Sequence, residues 1–135
     1  ALRKEVEQLL AAQANALKGE LIDKAEQING ITFIGGKLPL DDSNAMKNLA
    51  YQLEREIENA VILFGAVIKG KPQLMMAISR NLTESKGLNA GQIIRELAVE
   101  IRGGGGGQPF FATAGGSDAG GLERAIELGK AKLKG

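Results

Sequence analysis

The chain has no cysteine, no histidine and no tryptophan among its 135 residues, and aromatic residues make up 4% of it. Without cysteine it can form neither a disulfide framework nor a thiolate metal site, which fits a cytoplasmic protein. It lacks the commonest catalytic bases and nucleophiles, and its carboxylates are not clustered at metal-ligand spacing. The longest apolar run, Ala60 to Ile68, is far too short to cross a bilayer. These absences argue against a metal site, a membrane span and an enzyme within this chain.

Charge is unevenly distributed along a chain that has enough apolar residues, 44%, to bury the core of one domain. The net charge is +1, yet the first 59 residues carry seven basic and ten acidic side chains. Residues 60–109 carry three acidic side chains and six basic ones, namely Lys69, Lys71, Arg80, Lys86, Arg95 and Arg102. The middle of the chain is therefore the part best suited to an anionic partner.

Residues 1–29 have the pattern of a long amphipathic helix. Apolar side chains recur at helical spacing, among them Leu10, Leu17, Leu21 and Ile28. A continuous helix of this length would extend about 40 Å, so we expect an arm that projects from the domain and supports dimerisation. Gly19 weakens such a helix by about 1 kcal/mol, and Glu20 interrupts its apolar seam. Packing of the helix on its own domain is the open alternative.

Residues 30–135 predict a globular α/β domain. Strand patterns cover four segments: Ile31 to Ile34, Ala60 to Ile68, Leu74 to Ile78 and Phe110 to Ala114. Helical periodicity covers Met46 to Ala60, the segment from Asn89 to Ile101 and a closing helix from near Ser117 or Asp118, whereas Asn81 to Lys86 reads as a polar loop. The order after the arm is βαββαβα, which predicts a two-layer or three-layer sandwich with helices on one mixed sheet.

Five consecutive glycines, Gly103, Gly104, Gly105, Gly106 and Gly107, are the most unusual stretch of the chain. Glycine loses the most backbone freedom on folding, so we expect an ordered glycine loop only where something approaches the backbone closely. Bare amides can donate to phosphates or to base edges. We therefore predict an RNA site at residues 103–107, with Gln108 beside it and the six basic side chains around it. The alternative is that the glycines only let the chain pass between two packed elements.

Two nucleotide-binding motifs are matched only in part. Gly65 to Lys71 fits half of a phosphate-binding P-loop, but Pro72 replaces the Ser or Thr that would hold magnesium, and a hairpin is the better interpretation. The glycine run does not fit a dinucleotide fingerprint, because Gln108 replaces the final glycine and a strand pattern follows it.

A longer signature surrounds the glycines. Residues 103–116 read GGGGGQPFFATAGG and follow a helix that ends with Leu97 to Ile101. This stretch resembles the glycine-rich signature of the DHH-associated domain and, more narrowly, of the C-terminal domain of the alanyl-tRNA synthetases. The resemblance extends from about Ala45 to Ala125. Many members carry Arg-Pro-Asp where this chain has Gln108-Pro109-Phe110, so a phosphate ligand is missing at position 108.

The resemblance implies a non-catalytic domain that docks on the outer corner, or elbow, of alanine tRNA. Catalytic and editing domains upstream in a longer cytoplasmic ligase would act on that tRNA. Those domains would bind ATP and magnesium, with zinc left open, and this chain would bind no cofactor. It also implies dimerisation through the helical arm. Two alternatives stay open: the single-stranded nucleic-acid-binding half of a DHH-type phosphoesterase, and a pure oligomerisation module. Because the chain lacks an initiating Met, we expect it to be a piece of a longer protein.

Overall fold

The computed structural model describes residues 18–38 and 42–134. The strands are β1 (Glu26–Ile28), β2 (Ile31–Lys37), β3 (Ala60–Ile68), β4 (Lys71–Ile78), β5 (Gly104–Gln108) and β6 (Phe111–Gly115). The helices are α1, described over residues 18–23, α2 (Ser43–Glu56), α3 (Arg80–Ser85), α4 (Ala90–Ala98) and α5 (Leu122–Lys134). Short 3-10 turns cover Val99–Ile101 and Ala119–Gly121. None of the helices in the described part of the chain is long and apolar enough to cross a membrane.

The strands form one mixed sheet in the order β1-β2-β3-β4-β6-β5. Strands β2 and β3 are parallel, and all other neighbours are antiparallel. The apolar strand β3 pairs with β4 at the centre, as a continuous apolar run predicts. Lys69 and Gly70, both at positive φ, make the turn between these strands. The predicted hairpin is therefore confirmed at the position where half of a P-loop motif occurs.

Helices cover both faces of the sheet, so the sandwich has three layers. Alternate side chains of β3 point to opposite faces. Ile62 and Phe64 belong to the cluster that includes α2, whereas Val61 and Leu63 belong to the cluster that includes α4 and α5. The domain consequently has two apolar cores, one on each side of the sheet.

The prediction of a helical arm over residues 1–29 is wrong for the last residues of that segment. Helix α1 ends at residue 23, and Glu26–Ile28 is an edge strand instead of the last helical turn. Asn29 and Gly30 both have positive φ, 50° and 81°, which closes β1 on β2 in a tight hairpin. Leu21 and Ile28 are buried in the two opposite cores of the domain. Residues 1–17, with Leu10 and Leu17, lie outside the described residues.

Strand β1 is also tied to the closing helix. Lys130 of α5 pairs with Glu26 of β1 at 2.5 Å, and this hydrogen bond raises the pKa of Lys130 above its ordinary value. The Asn29 side chain donates to the carbonyl oxygen of Leu133 at 3.1 Å. The start of the sheet is thus held by the end of the chain.

The predicted polar loop from Asn81 to Lys86 is also wrong, because Arg80–Ser85 is the short helix α3. Its one buried side chain is Leu82, so the segment shows almost no apolar periodicity. The hydroxyls of Thr83 and Ser85 donate to backbone carbonyls of the same helix, at 2.6 and 2.7 Å. Ser79 is buried just before α3, and its hydroxyl oxygen accepts a hydrogen bond from the amide of Ala60 at 2.9 Å, which ties the start of α3 to β3.

Candidate nucleic-acid interface

The glycine run forms an edge strand, which corrects the predicted loop. Gly104–Gln108 is β5, paired with β6 from Gly104↔Gly115 to Gln108↔Phe111. Pairing with β6 satisfies backbone groups that a loop would leave to water or to a ligand. None of the five glycines has a positive φ, so left-handed backbone is not the reason for glycine here.

Three glycines of the run are required by packing against β6. A Cβ on Gly105 would lie 2.5 Å from the Cα of Ala114, and a Cβ on Gly107 would lie 2.5 Å from the carbonyl oxygen of Phe111. A Cβ on Gly103 would overlap the backbone of Gly115. Because the obstructing atoms are backbone, the structure cannot make room cheaply. Gly103, Gly105 and Gly107 are therefore glycines because the backbone of β6 leaves no room for a side chain, which agrees with the packing alternative for this stretch.

The alternate positions have open space instead. A Cβ on Gly104 or Gly115 would have no neighbour within 4 Å, and one on Gly106 would meet only the Arg95 guanidinium, at 3.6 Å. Packing does not explain glycine at these three positions, which we call the glycine edge. Gly104 and Gly106 lie in the edge strand β5, which leaves one row of backbone groups unused by the sheet, and glycine lets a ligand approach these groups closely. Gly115 lies opposite Gly104 in β6, which is paired on both sides. Gly115 was missing from the sequence prediction, because its place opposite Gly104 depends on the pairing of β5 with β6, and a strand of glycines has no side-chain pattern to predict it.

Four of the six predicted basic side chains lie around the glycine edge. The start of β4, the end of β6 and the start of β5 are in register, with Gln73 opposite Gly115 and Gly115 opposite Gly104. The β3–β4 turn and the chain entering β5 therefore meet at this end of the sheet. We call these four side chains the basic rim: Lys69, Lys71, Arg95 and Arg102.

The other two basic side chains lie at the opposite end of the sheet. Strand β4 separates the ends by about 23 Å, at about 3.3 Å per residue. There the Arg80 guanidinium stacks over the Phe110 ring, 4.8 Å from its centroid. Lys86 donates to the backbone carbonyl of Asn29 at 3.0 Å. Gln108 also lies toward this end, beside the β5–β6 turn. The predicted site residues thus form two groups.

Two residues of the basic rim have a left-handed backbone conformation. Arg102 has φ 52° and ψ 52°, and Lys69 has φ 53°. Glycine or asparagine is usual at such positions, and another residue costs on the order of 1 kcal/mol. The Arg102 side chain is 80% exposed, and its ion pair with Asp118 is long, at 3.9 Å. Both positions therefore hold a basic side chain where glycine would fold more easily.

The adjacent phenylalanines lie in different surroundings, as pleating predicted. Phe111 stacks on Tyr51 of α2, with ring centroids 4.8 Å apart, and Lys47 lies 5.8 Å from both rings. Phe110 is half-buried in the β5–β6 turn beneath Arg80. Among residues 18–38 and 42–134, no group of three His, Cys, Asp or Glu side chains could hold a metal ion.

The chain is similar in sequence and in fold to known proteins. The DHHA1 domain model matches residues 30–135. Alanine–tRNA ligase of Christiangramia forsetii is 47% identical over 133 residues, which are 98% of this chain but 15% of that protein. The crystal structure of the C-Ala domain from Aquifex aeolicus alanyl-tRNA synthetase aligns with 82% of this chain and 98% of that domain, at 25% identity and a TM-score of 0.74. A DHH-domain member of the s1p family of ribosomal proteins shares the fold, with a TM-score of 0.57 over 97% of this chain and 32% of that protein, at 11% identity.

Proposed function

This chain belongs to the DHHA1 domain family, and on that basis we propose that it is the non-catalytic, tRNA-binding domain of an alanine–tRNA ligase. The chain spans 15% of the Christiangramia forsetii ligase, so the ligase activity would reside in other domains of the same protein. Any ATP, magnesium or zinc would bind those domains, in the cytoplasm. The role of this domain would be to hold alanine tRNA while they act on it.

The observation that carries the proposal is the glycine edge inside the basic rim. Its glycines have open space where a side chain would lie, and the basic rim supplies positive charge close by. Backbone amides and basic side chains bind phosphates without reading a base sequence. A folded RNA suits such a surface, because RNA helices are recognised mainly by shape, phosphates and 2′-hydroxyls.

We further propose that the glycine edge docks on the elbow of the tRNA. The surface lies at one end of a sheet edge and is compact, so it fits a local feature of a folded RNA better than an extended strand. Binding of a single-stranded nucleic acid would call for a row of exposed aromatic rings on which its bases stack. Among the described residues, the basic rim contains no aromatic ring, and Tyr51 and Phe111 stack on each other away from the rim, on the α2 side of the sheet.

A footprint tests the proposal. The 135-residue chain should bind alanine tRNA in a fluorescence anisotropy titration and protect the outer corner of the tRNA from hydroxyl radicals. Single-stranded DNA of equal length should compete poorly. Protection confined to the acceptor stem would contradict elbow docking. Equal competition by single-stranded DNA would favour the phosphoesterase-type alternative.

Dimerisation is a separate proposal with a narrower basis. Leu21 and Ile28 are buried in the domain itself, so they are not available to a second chain. Leu10 and Leu17 are the other two residues of the stripe that were predicted to support dimerisation. If they mediate dimerisation, replacing both with Glu should convert a dimer to a monomer in sedimentation velocity experiments. A dimer that persists after this change would place the interface elsewhere.

A further inference from the structure

A pocket of about 490 Å³ lies at the far end of the sheet, away from the glycine edge. It opens between α2, the end of β4 and the β5–β6 turn. The side chains that give it chemical character are Asn48, Tyr51, Gln52, Arg55, Arg80 and Phe110. Its volume falls within the range of small-molecule sites, and the proposed tRNA contact at the glycine edge does not use it.

Flat groups form the pocket walls. The Tyr51 ring is fixed from behind by its stack on Phe111, 4.8 Å between centroids. The Phe110 ring also lines the pocket, and the Arg80 guanidinium lies over it, 4.8 Å from its centroid. Aromatic rings and guanidinium planes are the groups on which proteins stack unpaired nucleobases.

Polar groups at the pocket can bind the edge of a base and a phosphate. Asn48 and Gln52 are one helical turn apart on α2, both exposed, and carboxamides pair with the donor and acceptor groups of base edges. Arg55 and Arg80 make no ion pair with any residue of the described ranges. Glu54 also lines the pocket, so its charge balance is one acidic group against two basic ones.

We infer that this pocket takes one unstacked nucleobase of the bound RNA. The base lies between Tyr51 and Phe110, the carboxamides of α2 contact its edge, and its phosphate pairs with Arg80 or Arg55. The inference rests on the proposed function for the identity of the natural ligand, an RNA. The glycine edge then contacts backbone, and this pocket, about 23 Å away along β4, supplies the contact that depends on a base.

Adenosine monophosphate is the probe that tests the pocket without tRNA. In amide NMR spectra of the full chain, it should shift Tyr51, Gln52 and Phe110 saturably, with a millimolar dissociation constant. Ribose 5-phosphate should shift them far less, because it lacks the base. An equal response to both compounds, or no saturable response to either, would overturn the inference.

Matched variants separate stacking from simple space filling. Phe110→Tyr should keep the response to adenosine monophosphate, whereas Phe110→Leu should lose it at an unchanged melting temperature. If Phe110→Leu does not fold, Arg80→Lys serves instead, since it keeps the charge and loses the plane that stacks. A full response in Phe110→Leu or in Arg80→Lys would contradict a base-stacking pocket.

Binding of tRNA provides the second readout. Phe110→Leu should weaken the affinity about tenfold, the usual scale of one stacked base, and leave its salt dependence unchanged. Retention of full affinity would overturn the inference. Binding of adenosine monophosphate by a chain that does not bind tRNA would support the pocket and contradict the proposed function. Binding of tRNA without binding of the nucleotide would do the reverse.

Discussion

Gly104 and Gly105 are neighbours in the same strand, yet a side chain would meet opposite surroundings at the two positions. At Gly105 it would strike the backbone of β6, whereas at Gly104 it would enter open space. The glycine-rich signature therefore combines residues that let two strands pack closely with residues that leave backbone accessible. Only the second set supports a binding role.

The largest expected effect is on stability, at the glycines that pack against the backbone of β6. Gly105→Val should lower the free energy of unfolding by about 3 kcal/mol, because the added carbons overlap the backbone at Ala114. Gly104→Val is the matched control and should change it by less than about 1 kcal/mol, since valine suits an extended strand. Urea denaturation measures both. Equal destabilisation of the two variants would remove the distinction between the sets.

A smaller effect is expected where the basic rim holds strained backbone. Arg102→Ala and Arg102→Gly remove the same charge, but only glycine relieves the left-handed conformation. The glycine variant should be more stable than the alanine variant by about 1 kcal/mol.

Both Arg102 variants should bind tRNA with less salt dependence. If about three phosphates are neutralised, the slope of log affinity against log salt is near −3, and each variant should reduce its magnitude by about one. An unchanged slope in both would exclude Arg102 from the phosphate contacts.

The smallest effect is expected at the distant basic side chain. Lys86→Gln should leave the affinity for tRNA and its salt slope unchanged, because Lys86 belongs neither to the basic rim nor to the pocket lining and donates to the backbone carbonyl of Asn29. Lys71→Gln, at the β3–β4 turn, should reduce the slope by about one. Equal slopes for the two variants would mean that Lys71 contributes no more to phosphate binding than a basic side chain outside the basic rim.

Parts of this fold could be predicted because their side chains show a recognisable pattern of apolar or capping residues. The apolar run from Ala60 to Ile68 indicated the central hairpin, and the cap at Asn89 indicated the start of α4. Strand β1 is too short to show a period, and α3 has a single apolar anchor, Leu82. Strand β5 consists mainly of glycine, whose lack of side chains removes the pattern altogether.

The site was predicted in composition but not in arrangement. The sequence identified the glycines and the basic side chains, since these are properties of single residues. Which of them meet depends on strand register, which puts Gly115 beside Gly104 and puts Arg80 a strand's length away. The division of the glycines into two sets depends on the distance between β5 and β6, for which the sequence carries no direct signal.

The most direct test of the glycine edge is the affinity of Gly104→Val for alanine tRNA at unchanged melting temperature. A side chain there holds the RNA away from backbone donors, and loss of one hydrogen bond to a charged group is worth about 1.5 to 3 kcal/mol. We therefore predict a loss of affinity of at least about tenfold, with the salt slope of any residual binding retained. A Gly104→Val chain that melts like the wild type and binds tRNA with full affinity would show that the RNA lies on another face.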